Sequence, residues 1–281
     1  MLIQWFPGHM NKSLREMKDD LKLIDTIIYV LDARAPISSI NYEFQNIIDN
    51  RPVIYILNKA DLISRDDLSK YINYFKNLKF ECIPLNSTVS FSTKILVNTI
   101  NRLFKEKIDK SHEKGINLVI RSMVIGVPNC GKSTIINNMC GQKKALTGDK
   151  PGITKGRQWV KIANHIELLD TPGILVPNFE DEKTAQNLAY IGSIKDDVID
   201  IETLSLHFID DLKNIYFDKL VNRYSLKADK NDENLKILKE ICHNRGLLIS
   251  GGEYDLLRGA KLLLDDFRKG RLGQIALDEV K

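Results

Sequence analysis

Short, mostly apolar runs recur at 24–31, 53–57, 80–85, 118–126 and 166–169, each followed by a polar loop. Runs of this length, rich in Ile, Val and Leu, predict strands covered on both faces. Between them, 67–78 and 93–108 carry helical patterning, so strand and helix alternate as in a doubly wound α/β sheet. Ligands in that architecture sit at the carboxyl ends of the strands. The charged stretch 105–117 predicts a solvated helix end and linker. Beyond Pro177 helical periodicity takes over, with helices expected at 182–194, 204–224, 233–245 and 253–269. The pattern divides the chain into an α/β domain at 1–177 and a small all-helical domain at 178–281. Leu256, Leu257, Leu263, Leu264 and Phe267 read as core positions of the last helix.

Composition narrows the partners. Hydrophobic content of 43% and charged content of 28% suit a globular chain, and no run approaches the roughly 18 apolar residues of a membrane span. The first residues lack the pattern of a signal or transit peptide, so a cytoplasmic location and no membrane partner are expected. Cys82, Cys130, Cys140 and Cys242 are scattered, which predicts reduced thiols rather than a disulfide framework or a zinc site. Net charge is +4, concentrated before residue 182. Nucleic-acid contact must therefore come from local patches. Two stand out: Lys143, Lys144, Lys150, Lys155, Arg157 and Lys161 against the single acid Asp149, and Arg258, Lys261, Arg268, Lys269 and Arg271, diluted by Asp265 and Asp266. Either can equally be a solvated face.

The chemistry lies in the loops that follow the runs. Gly126-Val127-Pro128-Asn129-Cys130-Gly131-Lys132-Ser133 fits the phosphate-binding pattern Gly-x-x-x-x-Gly-Lys-Ser, between a strand and a helix as the motif requires. Its glycines bring the backbone close to phosphate, and the amides of Asn129, Cys130, Gly131 and Thr134 cluster at a helix N-terminus. Lys132 supplies charge to the β/γ oxygens, and Ser133 a hydroxyl to Mg²⁺. Asn58-Lys59-Ala60-Asp61, directly after the run 53–57, selects the base. The Asp61 carboxylate can accept from N1–H and the 2-amino group of guanine, whereas adenine offers neither donor. Asp170-Thr171-Pro172-Gly173 supplies a carboxylate for Mg²⁺, usually through water, and a Gly173 amide for the γ-phosphate. Thr154, in Pro151-Gly152-Ile153-Thr154, can bring a second hydroxyl to the metal. Asn86 and Ser87, before Thr88, fall on the guanine O6 side.

The base-reading motif thus precedes the phosphate-binding one. This order (58–61, 86–88, 126–133, 154, 170–173; G4-G5-G1-G2-G3) resembles that of the circularly permuted GTPases. Trp5-Phe6-Pro7-Gly8-His9-Met10 and Gly251-Gly252-Glu253-Tyr254-Asp255, with the stretch 264–273, resemble the RbgA/YlqF ribosome-biogenesis GTPases over nearly the whole chain. The sequence departs from the family at Ser13, where Ala is common, and at Asn86-Ser87-Thr88, where GTPases usually carry a Ser-Ala pair. The resemblance implies a bacterial factor that hydrolyses GTP to GDP while binding the immature large ribosomal subunit and its rRNA late in assembly. It implies no DNA partner, and we expect a monomer. The alternative is a nucleotide-gated RNA-binding module in which hydrolysis is incidental.

Where many GTPases carry a water-orienting Gln after the Asp-x-x-Gly element, this chain has Ile174, so slow intrinsic hydrolysis is expected. The resemblance suggests His9 as the group that positions water; packing or RNA contact is the other reading of that imidazole. Asn129 is similarly double: its carbonyl oxygen can ligate K⁺ beside the phosphates, as in similar potassium-activated GTPases, or its side chain can simply brace the loop. Only about ten residues separate Gly173 from the first helix of the second domain, so the switch is expected to set that domain's angle.

Overall fold

The computed structural model describes residues 17–42, 44, 48, 51–89, 94–140, 158–175 and 181–280. His9, Thr154, the basic residues between 141 and 157 and the 176–180 connection lie outside the described residues.

Six strands form one sheet: β1 (Thr26–Asp32), β2 (Val53–Asn58), β3 (Glu81–Leu85), β4 (Ile120–Ile125), β5 (Gln158–Ala163) and β6 (Ile166–Asp170), in the spatial order β3-β2-β1-β4-β6-β5. All pairings are parallel except β5 with β6. Every residue of β1 is buried, which explains the continuous apolar stretch 27–31. β5 escaped the hydrophobic pattern because it is an edge strand with a single fully buried side chain, Val160.

The chain enters at β1, winds outward to β3, then returns to β4 on the other side of β1. Strand order therefore reverses between β1 and β4. The crevice at their carboxyl ends is the topological switch point where such sheets bind ligands.

Helices α1 (Arg65–Asn77), α2 (Lys94–Leu103), α3 (Lys105–Glu113) and α4 (Lys132–Cys140) accompany the sheet. The charged stretch read as a linker is largely α3. Its charges are solvated, while Ser111 turns inward to hold the Ile116 carbonyl at 2.7 Å. On one side of the sheet Tyr29 and Tyr55 stack at 5.4 Å and Tyr55 and Phe75 at 4.7 Å, joining β1, β2 and α1.

The second unit contains α5 (Glu182–Tyr190), α6 (Ile201–Lys213), α7 (Phe217–Tyr224), α8 (Asn234–Asn244) and α9 (Leu256–Arg268). Acidic N-caps start three of them, Asp181 to the Thr184 amide, Asp200 to Thr203 and Asp255 to Arg258. The expected single helix at 204–224 is two, α6 and α7, broken at 214–216. Phe208 joins Tyr190 and Phe267 at ring distances of 4.7 and 4.8 Å in the core. Gly259 lets α9 approach α8, since a Cβ there would lie 2.3 Å from the Cys242 sulfur. Leu257, expected in the core, is 42% exposed: it falls on the outer face of α9, one step off the stripe formed by Ala260, Leu263, Leu264 and Phe267. Among the described residues no helix is long and apolar enough to cross a membrane.

Candidate functional site

The loops that carry the motifs leave the carboxyl ends of β2, β3, β4 and β6, so one edge of the sheet gathers them. Asn58, the last residue of β2, ties three together. Its amide nitrogen donates to the Cys130 carbonyl at 2.7 Å, and its oxygen accepts from the Ser87 amide at 3.1 Å. Lys59 turns into the left-handed region (φ 60°) and sends its ammonium to the Asn129 carbonyl at 2.9 Å and the Asp32 carboxylate at 2.7 Å. The two residues thus brace the phosphate-binding loop, leaving Asp61 exposed on a single 3₁₀ turn, Ala60–Leu62.

Close packing dictates the glycines. At Gly131 (φ +100°) a Cβ would meet the Asn58 amide nitrogen at 2.2 Å. At Gly173 it would lie 2.7 Å from Pro128 backbone atoms and 3.0 Å from the Lys132 ammonium, so the Asp-x-x-Gly loop is seated on the phosphate-binding loop. Lys132 is buried and donates to the carbonyls of Gly126 and Val127, both at 3.0 Å. To serve a phosphate it must exchange these carbonyls for phosphate oxygens. Cys130 is wholly buried, and burial pushes its thiol pKa up; its backbone, not its sulfur, faces the loop's partners.

Asp170 and Ser133 meet where the metal is expected, with the hydroxyl donating to Oδ2 at 3.3 Å. The other carboxylate oxygen is buried and has no hydrogen-bond partner among the described residues, and burial raises the Asp170 pKa against the pull of Lys132 and Ser133. A hard carboxylate oxygen beside a hydroxyl fits Mg²⁺, which takes few protein ligands and keeps water and phosphate oxygens for the rest. Ile174 is completely buried, so its side chain faces the core and no reacting water.

Asn86 is engaged locally, its side-chain oxygen accepting from the Thr88 amide at 2.9 Å and hydroxyl at 2.6 Å. Ser87 is buried, and its carbonyl accepts from the Asn138 side chain. Asn129 is left-handed (φ 59°) and its amide nitrogen donates to the Gly192 carbonyl at 2.7 Å. Ser193 in turn donates to the Pro128 carbonyl at 2.8 Å. The phosphate-binding loop is therefore held directly by the helical unit, a contact the motifs did not reveal.

Asp32 and Arg34 were also missed. Their signal was a charged pair placed directly after the most apolar run of the chain. Arg34, 1% exposed, forks onto Asp32 at 2.9 and 2.7 Å and gives its third nitrogen to the Phe267 and Arg268 carbonyls, each at 3.2 Å, at the end of α9. Burial opposes the Asp32 charge, yet Arg34 and Lys59 together hold its pKa well below the usual carboxylate range. One carboxylate thus links Lys59 to the helical unit.

Of the basic cluster on α9, Arg268 is structural. It forks onto Asp196 and holds the Ala189 and Tyr190 carbonyls at the end of α5. Lys269 pairs with Asp265, and Arg271 with Asp265 and Asp266. Arg258 and Lys261 remain on the surface. Of the 141–161 patch only Lys161 is described, and it is exposed on β5.

Residues 121–244 match the family described as 50S ribosome-binding GTPase. The chain is 39% identical to ribosome biogenesis GTPase A of Bacillus cereus, over 99% of this chain and 94% of that one. It is 30% identical to mitochondrial ribosome-associated GTPase 1 of Bos taurus, over 98% and 88%. Among solved structures it is similar to GNP-bound YlqF from T. maritima, at a TM-score of 0.66 and 26% identity, covering 95% of this chain and 98% of that one. A GDP-bound YlqF structure gives a TM-score of 0.67 at 26% identity, covering 94% and 99%.

Proposed function

Because the chain belongs to the ribosome biogenesis GTPase A family, we propose that it spends GTP on the large ribosomal subunit, late in that subunit's maturation. It is a P-loop GTPase of ribosome biogenesis that binds GTP and GDP. The partner is supported by the match of residues 121–244 to the 50S ribosome-binding GTPase family, and the nucleotide site by one observation: Asn58 and Lys59 bond to the phosphate-binding loop itself, so base-reading and phosphate-binding elements form one braced unit.

In this reading Asp61 takes the guanine edge, Asn58 and Lys59 hold the loop, and Asn86 and Ser87 line the O6 side. The amides of Asn129, Cys130, Gly131 and Thr134 wrap the phosphates. Lys132 reaches the β/γ oxygens, and the Gly173 amide meets the γ-phosphate. Ser133, Thr154 and Asp170 would hold Mg²⁺, which would supply positive charge beside the phosphates. His9 orients the attacking water, the role that buried Ile174 leaves open. The Asn129 amide nitrogen donates to the Gly192 carbonyl, and its carboxamide oxygen would hold K⁺. The chain works in the cytoplasm as a monomer, with residues 178–281 as the unit facing rRNA.

Two experiments test this. Asp61→Asn should exchange guanine for xanthine preference in a nucleotide competition assay, and an unchanged preference removes the base assignment. Sedimentation with large subunits should show stronger association with a non-hydrolysable GTP analogue than with GDP; equal association with small subunits contradicts the partner.

A further inference from the structure

Residues 272–280 leave the helical unit and return along the α/β domain, where they lie against the loop that carries Asp61. The Gln274 side chain donates to the Asp61 carbonyl at 3.3 Å, and the Ile275 amide to the Leu62 carbonyl at 3.1 Å. Just before them, Gly270 sits on Leu62 so closely that a Cβ would lie 2.5 Å from its methyl group. The loop has little support of its own. It is one 3₁₀ turn, started by a left-handed Lys59 without a side-chain cap, and such turns are held by what surrounds them.

The returning segment is itself pinned by Asp278. One carboxylate oxygen accepts from the Ile37 and Ser38 amides at 2.7 and 2.9 Å, and the other from the Ser38 hydroxyl at 2.6 Å and the Asn187 amide at 3.0 Å. The Asp278 carbonyl accepts from Tyr71 of α1 at 2.7 Å, and the Leu277 amide donates to the Arg34 carbonyl at 2.7 Å. Asp278 thus gathers the loop after β1, helix α1 and helix α5 onto a segment that bonds to the base-reading turn. Ile275 is fully buried beneath it.

We propose that segment 272–280 is a specificity element of the nucleotide site and that Asp278 is its positioning residue. The segment holds the turn at 60–62 so that the Asp61 carboxylate meets both N–H donors of guanine. Freed from it, the turn shifts and the two-bond fit is lost, while the phosphate-binding loop, braced through Asn58 and Lys59, stays in place. This rests on Asp61 reading the base.

The test compares affinities for GDP and IDP, which differ only in the 2-amino group that Asp61 accepts. Wild type should prefer GDP. Asp278→Ala should lower GDP affinity about tenfold and bring the GDP:IDP ratio toward one. Gln274→Ala, at an exposed position that leaves folding intact, should narrow the ratio by about two- to threefold. A variant weakened only in its packing would lose both nucleotides equally. An unchanged ratio in Gln274→Ala and in folded Asp278→Ala overturns the proposal; if Asp278→Ala does not fold, Gln274→Ala alone decides. A ratio of one in wild type overturns the assignment of Asp61 instead, and this proposal with it.

Discussion

Replacing Arg34 by Met removes a buried cation while keeping most of its volume. The guanidinium makes two bonds to Asp32, reaches two carbonyls at the end of α9 and lies 4.8 Å over the Phe267 ring. Removing one member of a buried ion pair costs about 3–5 kcal/mol, because the other charge stays behind. Asp32 keeps Lys59 at 2.7 Å, so the lower end applies, about 3 kcal/mol. At about 2–4 °C per kcal/mol for a chain of this size, Arg34→Met should melt roughly 6–12 °C below wild type when followed by circular dichroism. Asp32→Asn combined with Arg34→Met leaves no lone carboxylate and should recover part of the loss. Acid supplies the same relief. The folded Asp32 pKa is depressed, so its contribution is present above about pH 4 and fades as pH falls toward the folded value. The gap between wild type and Arg34→Met should therefore narrow in acid. A melting shift under about 2 °C, or a double variant that costs the sum of the two singles, would refute the reasoning.

His9→Ala should lower GTP turnover by about 10²-fold or more while GDP affinity stays within about twofold; an equal loss of binding would make His9 a structural residue. Replacing potassium by sodium should slow hydrolysis, and equal rates in both salts would remove the cation from Asn129. Scattering profiles with GDP and a non-hydrolysable GTP analogue should differ, because Gly173 touches the phosphate-binding loop and that loop bonds to Gly192 and Ser193; superimposable profiles would uncouple the switch from the helical unit.

Buried parallel strands were legible because a strand covered on both faces is apolar along most of its length, as at 27–31 and 53–57. β5 was not, because an edge strand needs to bury only one side chain. The break between α6 and α7 was hidden because both helices carry apolar residues on compatible spacing across 214–216. Motif loops could be read because phosphate and base chemistry restrict residue type at fixed spacing. The contacts between the two units could not. Asp278 meets Ser38 across 240 positions, and Arg34 meets Phe267 across 233; neither has a local pattern, since the hydrogen bonds that justify each buried charge come from distant segments. Arg268 shows the converse, a surface-like charge run in sequence whose guanidinium is drawn into the joint between α5 and α9.

The most direct test of the central claim is single-turnover GTP hydrolysis with and without purified large ribosomal subunits. A GTPase that lacks a water-orienting side chain at Ile174 and serves the large subunit should turn over slowly alone and at least tenfold faster, on the order of 10–10³-fold, once large subunits are added, with small subunits giving no comparable gain. An unchanged rate in the presence of saturating large subunits would contradict it.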